Sequence, residues 1–537
     1  MNRVKDTDSQ NEAITAVREN KNVIIRASAG TGKTYTLIKA IEEDLKLHTD
    51  FQQIAAITYT IKATKEIRDR IKGLKIDDKQ LKISTNNEFI RNEIIIPFIG
   101  DAYKKKFSNK LSSDYSIKFS SFDEGINSIE EKRIIGEYNN KTKKDSFHYE
   151  LALEIIKKSK ACQRYVKSKY RRIYIDEYQD VSNAAHSFYK YLLYELGIKL
   201  FIVGDTKQNI FSFAGADPKF FNEFWNNEKH LFLREELTFN RRCSNDIQNY
   251  SNLLFDETRK LILINSDYVH SEKDVICICL HKNEIQKWPQ IIKNRINSKL
   301  SLALFRIYNE DCKKSVSLLG EMADISLNFI PKNPLSEFPT ELQTLFFSIG
   351  CFAFNNKYNI YNFLSDTQIG ETNFPFNIHL LEQKLRQIKE APTQYETSET
   401  IYKLGVELGC IKIDSCKNDV LTIIHKFVQI LTNTECQILF TRKETRSVCQ
   451  TVYTAKGLAY DQVIIFASDF NESNKETHYV AATRAKSKLL IVLNIDEDSD
   501  YIKFMRSRIQ TSPIISSQNI IEFVHPQSTK VSNQNFT

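Results

Sequence analysis

Residues 27–34 read ASAGTGKT and follow the apolar run Val23-Ile24-Ile25, the pattern of a buried strand entering a phosphate-binding loop. The motif GxxxxGK[ST] is met with one departure, because Ala27 stands where the first glycine is expected. Small residues let successive backbone N–H groups turn inward around phosphate oxygens, and the following helix directs its positive end at the same charge. Ala27, Ser28, Ala29, Gly30, Thr31 and Gly32 would line that cradle. Lys33 can then reach the β- and γ-phosphates, and the Thr34 hydroxyl can ligate Mg²⁺. A strand before and a helix after argue against a chance match, so the loop implies binding of a nucleoside triphosphate.

Two further strand ends carry chemistry. In IYIDEYQD (173–180), Asp176 can hold Mg²⁺ through its water shell, and Glu177 can orient and deprotonate a water attacking the γ-phosphate. An Asp-Glu pair alone is common on surfaces; after a phosphate loop in an α/β unit it gains weight. In LFIVGDTKQNIFSFAGA (200–216), Gln208 offers a neutral amide that can sense the γ-phosphate. Phe211 and Phe213 alternate just beyond it. Each is either a core side chain or a face for stacking bases, worth roughly 1–3 kcal/mol per base.

With 537 residues, 41% of them hydrophobic, the chain is too long for one ordinary core and suits roughly two to four domains. The 75 Lys and Arg against 67 Asp and Glu give a net charge of +8, compatible with a polyanionic partner. Ten cysteines form no CxxC pair and no zinc spacing with His, which implies reduced thiols and no structural metal. The polar start MNRVKDTDSQ argues against a secretory signal, and the apolar stretch 345–354 is too short to span a bilayer, so a cytoplasmic location is expected. Strand and helix signals alternate through residue 90 and again from Ile173 to Leu254, implying a parallel sheet. Further strand signals occur at Val275 (VICICL), Leu302 (LALF), Ile438 (ILF), Val463 (VIIF) and Leu489 (LLIVL). The lysine-rich stretch 100–146 and the helical stretch 320–433 read as insertions. Residues beyond 512, rich in Ser, Gln and Asn, read as a loose tail. Eight Lys and Arg between Ile155 and Arg172 form either a phosphate-tracking face or a solvated helix face.

Taken in order, these blocks resemble the UvrD/Rep-like branch of the superfamily-one helicases. Gln10 in DSQNEAI looks like the adenine-reading glutamine upstream of the loop, and Tyr59 in IAAITYTIKATKEIRDRI (54–71) like a DNA contact. LTFNRRCS (237–244) and YVAATRAKSKLLIV (479–492) carry Arg242 and Arg484, matching the two arginines that touch the γ-phosphate. When such residues act as fingers they contribute about 10³–10⁵ in rate. TVYTAKGLAYDQVII (451–465) resembles the segment coupling nucleotide to DNA, with Gly457 on the nucleotide side and Tyr453 on the DNA side. Thr85 falls in the segment that replaces a Thr-Phe-His DNA contact, here Ser84-Thr85-Asn86-Asn87-Glu88-Phe89.

The resemblance implies an α/β fold: a P-loop NTPase with two RecA-like parallel-sheet cores, each interrupted by a mainly helical insertion, and ATP with Mg²⁺ held between them. The expected divisions are 1–95 and 149–258 for the first core with its insertion at 96–148. The second core is expected at 259–320 and 434–511 with a reduced insertion at 321–433, followed by a flexible tail at 512–537. Three departures stand out: Ala214 in place of an arginine, Tyr453 in place of a histidine, and Ala459 in place of a glutamate. Tyr35 and Arg241 exchange the types of the residues that sandwich adenine, so an aromatic–guanidinium pair could persist with its faces exchanged.

A closer resemblance is to the helicase-like subunit of the Gabija anti-phage defence system. It is carried by ISTNNEFIRNEIIIPFIGDAY (83–103), NRRCSNDIQNYSNLLFDETR (240–259) and the short second insertion. It implies a bacterial defence component that senses single-stranded DNA or DNA ends and works beside an OLD-type nuclease with a Toprim domain. The motifs leave three functions open: a DNA-activated ATPase component of such a complex, a stand-alone 3′–5′ single-stranded DNA translocase or helicase in repair, and a nucleotide-binding scaffold. The intact phosphate chemistry argues against the last.

Overall fold

Val- and Ile-rich runs with no polar alternation form parallel strands covered on both faces. The computed structural model describes residues 7–47, 51–59, 61–72, 80–105, 107, 111–262, 273–331, 333–338, 340–367, 377–390, 395–411, 417–441, 446–510 and 520–525. The strands are β1 (Asn22–Ala27), β2 (Gln53–Thr58), β3 (Leu81–Thr85), β4 (Ser112–Phe119), β5 (Ile134–Tyr138), β6 (Tyr170–Ile175), β7 (Lys199–Gly204) and β8 (Phe232–Leu237), then a second group. That group comprises β9 (Val275–Leu280), β10 (Leu302–Arg306), β11 (Asn328–Phe329), β12 (Ser447–Thr451), β13 (Tyr460–Phe466), β14 (Ala485–Asn494) and β15 (Glu522–Val524).

The first group makes a six-stranded sheet in the order β3-β2-β6-β7-β1-β8, and the second a seven-stranded sheet in the order β11-β12-β10-β13-β14-β9-β15. Every pairing in both is parallel. Because β6, β7 and β1 are neighbours, the loops leaving their carboxyl ends meet at one edge, the usual ligand edge of an open α/β sheet. Those loops carry Asp176, Gln208 and the phosphate loop. A separate apolar cluster, centred on Phe346, Phe427 and Phe440, forms the helical block inserted in the second unit. No described helix is long and apolar enough to cross a membrane.

The structure corrects four sequence expectations. The first insertion is not simply helical, since β4 and β5 form a two-stranded parallel sheet around the helix Phe122–Lys132. The second insertion begins later than 321, because β11 adds to the edge of the second sheet. The ILF run at 438–440 is a turn whose Phe440 fills the helical core, and the strand comes afterwards as β12. Within 512–537, residues 520–525 are ordered: Ile520 and Ile521 are buried, and β15 pairs with β9. The rest of that range lies outside the described residues.

One buried charge cluster sets the frame of the first unit. Asp44, near the end of the helix Lys33–Leu47, is fully buried and receives Arg172 Nε at 2.9 Å and Tyr174 Oη at 2.7 Å, both from β6. Arg171 adds a contact at 3.3 Å, and Arg172 also donates to the carbonyl oxygens of Lys21 and Val17. The helix that starts at the phosphate loop is thereby tied to the strand that ends at Asp176. Asp44→Ala would leave Arg172 buried without its counter-charge. It is expected to destabilise the fold by about 3–5 kcal/mol, measured by urea denaturation.

Candidate nucleotide site and nucleic-acid face

The phosphate loop is built from the end of β1. Ala27 is still in the strand, paired with Leu237, so its backbone is extended and alanine serves where glycine was expected. Gly30 and Gly32 carry positive φ of 75° and 93°, a conformation costly for other residues. The segment holding Arg242 lies directly on the loop, since a Cβ at Gly30 would meet Asn240 Oδ1 at 2.5 Å and Arg242 Cβ at 2.8 Å. Asn240 Oδ1 in turn accepts from the N–H of Arg242 at 2.7 Å and of Cys243 at 2.9 Å. The Ser28 N–H donates to Leu237, the Thr31 hydroxyl to the Ser28 carbonyl, and the Ala29 N–H to the buried Tyr479 hydroxyl at 3.1 Å. The helix that Lys33 opens carries Thr34 and Tyr35 in its first turn, all three partly exposed.

Facing the loop, Lys33 Nζ lies 3.4 Å from Glu177 Oε2. Glu177 adopts φ 54°, a left-handed backbone that a glutamate holds only at some cost. The side chain is fixed by Gln179 Nε2 at 2.5 Å, and Gln179 itself takes the Asp205 N–H at 2.9 Å. Burial and the adjacent Glu177 push the Asp176 carboxyl up to about 7. Burial opposes charge on Glu177 as well, but the ammonium groups of Lys33 and Lys456 outweigh it and hold Glu177 low. The pair is thus split, Asp176 being the more readily protonated member and Glu177 the more readily charged one.

The second unit reaches across through two cations. Arg484, 1% exposed, donates to the carbonyls of Val480 at 3.0 Å and Leu458 at 3.1 Å, and to Gln208 Oε1 at 3.3 Å. Burial and the neighbouring Arg242 push its guanidinium down to about 10, still charged at neutral pH. Gln208 gives its amide protons to Asp205 Oδ2 at 2.6 Å, so both ends of its carboxamide are fixed. Lys456 donates to Asp180 Oδ2 at 2.5 Å and to the Gln208 carbonyl at 2.9 Å. Burial pushes Asp180 up to about 6 against the pull of that lysine. Gly457 follows with φ 83° and turns the chain so that the Leu458 carbonyl meets Arg484. Arg242 donates to the Thr483 carbonyl at 3.4 Å.

On the base side, Gln10 is buried and capped by three partners. Its Nε2 donates to Thr36 at 2.8 Å, and its Oε1 accepts the Thr7 N–H at 3.0 Å and Arg241 Nη1 at 3.1 Å. The Arg241 guanidinium lies over the exposed Phe239 ring at 5.4 Å. Arg241 and Tyr35 both approach Gly32, whose Cβ position lies 3.4 Å from Arg241 Nη1 and 3.9 Å from Tyr35 Cβ.

The aromatic candidates gather where the two units meet. Phe213 is 53% exposed and meets Phe211 edge-on at 6.1 Å and Tyr453 edge-on at 5.9 Å, while Lys456 Nζ sits 4.9 Å over the Phe211 ring. Tyr59, after β2, is 37% exposed. Thr85 is corrected. It is 8% exposed, and its hydroxyl caps a helix by accepting the Glu88 N–H at 3.4 Å, which leaves no open face for a nucleic acid. Asp180, Gln179, Asp205, Lys456 and Tyr479 join the site although sequence reasoning had not singled them out. All five lie inside the quoted motifs, but only tertiary contact reveals their pairing. His478 is fully buried, bonded to the Tyr250 hydroxyl at 2.8 Å and stacked on Phe470 at 4.6 Å, and burial pushes it down to about 3, a structural role. In the basic stretch before Arg172, Arg171 and Arg172 are spent on Asp44 and Lys169 on Glu93.

Two parallel-sheet units with this shared edge define a P-loop, UvrD-like helicase class of enzyme. Residues 10–214 match an AAA domain model, and residues 447–492 match the UvrD-like helicase C-terminal domain. The chain is similar to the Gabija protein GajB of Bacillus cereus (strain VD045), with 34% identity over 93% of this chain and 99% of that protein. It is also similar to an ATP-dependent helicase/nuclease component of Enterococcus faecalis (34% identity), covering 21% of this chain and 10% of that protein. The RecB component of the RecBCD enzyme of Borreliella burgdorferi shows 37% identity over 19% of this chain and 9% of that protein. The chain belongs to the GajB family of UvrD-like helicases and is an ATP-hydrolysing, helicase-like enzyme.

Glu177→Gln keeps the shape of the site and removes the carboxylate that the sequence reading assigns as its base. Hydrolysis is expected to fall by about 10²–10⁴-fold while nucleotide still binds, as read by single-turnover kinetics beside a fluorescent-nucleotide titration.

Proposed function

We propose that this chain is the DNA-responsive ATPase of an anti-phage defence complex. It hydrolyses ATP with Mg²⁺ on engaging single-stranded DNA or DNA ends, and it activates a partner nuclease of the OLD type with a Toprim domain. The observation that carries this reading is the contact chain across the cleft. Lys456 touches at once the Phe211 ring, Asp180 and the Gln208 backbone, so an occupant of the aromatic face and an occupant of the phosphate site act on the same side chain. The similarity to GajB over nearly the whole chain supports the defence role. The matches to the helicase/nuclease components span only about a tenth of those proteins and bear on the motor motifs.

In the proposed reaction the phosphate loop binds the triphosphate through its backbone N–H groups and Lys33. Thr34 and Asp176 suit Mg²⁺, which keeps waters and substrate oxygens rather than a full protein cage; no cluster of three or more His, Cys, Asp or Glu occurs among the described residues. The ion would neutralise charge on the β- and γ-phosphates. Once phosphate oxygens take Lys33, Glu177 loses one of the two ammonium groups that hold it low and becomes a better base for the attacking water. Gln208 senses the γ-phosphate, and Arg242 and Arg484 stabilise its developing charge. Arg484 must first release Gln208, so binding of the triphosphate remodels the bridge between the units.

The test uses the purified chain with the partner nuclease, a 3′-tailed duplex and ATP. The expected outcome is hydrolysis that EDTA abolishes, little strand displacement, and nuclease activity that depends on this chain. Robust displacement by the chain alone, with the nuclease indifferent to it, would favour the stand-alone translocase instead.

A further inference from the structure

The stretch 139–146 of the first insertion lies against the turn that carries Phe213. The approach is by backbone: a Cβ at Gly215 would come within 2.5 Å of the Lys144 carbonyl oxygen and 3.3 Å of the Asp145 nitrogen. Gly215 also has φ 94°, so both the turn and the close approach call for glycine. Asp145 secures the stretch from its other side, its Oδ1 accepting the Ala184 N–H at 3.0 Å and the Ser146 N–H at 2.8 Å. Lys143 turns back into the insertion, donating to Glu150 at 2.6 Å and covering the Tyr138 ring at 4.2 Å.

Lys144 does neither. It is exposed, and its ammonium group has no ion-pair partner among the described residues. Because its backbone is held at two points, a ligand on this cation restricts side-chain freedom alone. The turn that its backbone abuts carries Phe213, which is more than half exposed and meets Tyr453 edge-on at 5.9 Å. Stacking faces next to an unpaired cation are what a single nucleic-acid strand needs, one for its bases and the other for its phosphates. We infer that Lys144 binds a backbone phosphate of the strand whose bases stack on Phe213 and Tyr453, so that the first insertion supplies a cation to the track. The inference rests on the proposed single-stranded DNA reading and adds a binding residue to it. It also gives the insertion a direct mechanical link, because a phosphate on Lys144 pulls on backbone that abuts Gly215, a few residues from Gln208.

The test is a salt titration of fluorescence anisotropy with a labelled single-stranded oligodeoxythymidylate and the full chain. Lys144→Ala is expected to bind more weakly, with a log K against log salt slope shallower by about 0.7, the share of one phosphate contact on a single strand. Lys503→Ala, removing a distant side chain that is 77% exposed, is expected to leave the slope unchanged. Adding Ala214→Arg to Lys144→Ala, at the exposed position preceding Gly215, is expected to restore the lost slope. If the wild-type chain binds and Lys144→Ala matches it in affinity and slope, the inference is overturned and the DNA reading stands. If the wild-type chain does not bind the oligonucleotide, both fall together.

Discussion

Everything at this site depends on the two cations that the second sheet's loops place at the strand ends of the first. Lys456 and Arg484 are both largely buried, and so are their partners Asp180 and Gln208. A buried charge stripped of its partner costs several kcal/mol, so the units cannot part at this point without replacing those contacts. Triphosphate oxygens are suitable replacements for the acceptors of Arg484, which makes the bridge exchangeable rather than permanent. In the proposed reaction, the same physics that closes the cleft would let nucleotide reopen it.

The acidic pair shows how electrostatics and backbone strain combine. Glu177 sits in a left-handed conformation, held by Gln179 and by Lys33. Strain of this type persists only where surrounding contacts over-determine it. Here those contacts run onward, from Gln179 to the backbone of Asp205, and from Asp205 to Gln208. Glu177, Gln208 and the cross-cleft Arg484 are thus members of one hydrogen-bonded chain.

Much of this was legible in the sequence because it is local. A phosphate loop, an acidic strand end and a glutamine after the next strand each follow from contiguous residues, and parallel pairing of β6, β7 and β1 brings them together. The pairing of Lys456 with Asp180, of Tyr479 with Ala29 and of Arg241 with Gln10 spans hundreds of residues and leaves no periodic trace. Short apolar runs misled in both directions. ILF at 438–440 has strand composition but fills a helical core, while the three-residue β15 hides in a Ser- and Gln-rich stretch and closes a sheet edge. Thr85 has the side chain of a DNA contact and the geometry of a helix cap, a distinction that only φ, ψ and hydrogen bonding make.

The central claim is that Lys456 couples the aromatic face to the hydrolytic site. It is tested most directly by the ratio of ATP hydrolysis with and without single-stranded DNA, compared between the wild-type chain and Lys456→Met. The account predicts that DNA stimulates the wild type and that the ratio falls close to one in the variant. A variant stimulated as strongly as the wild type would contradict it.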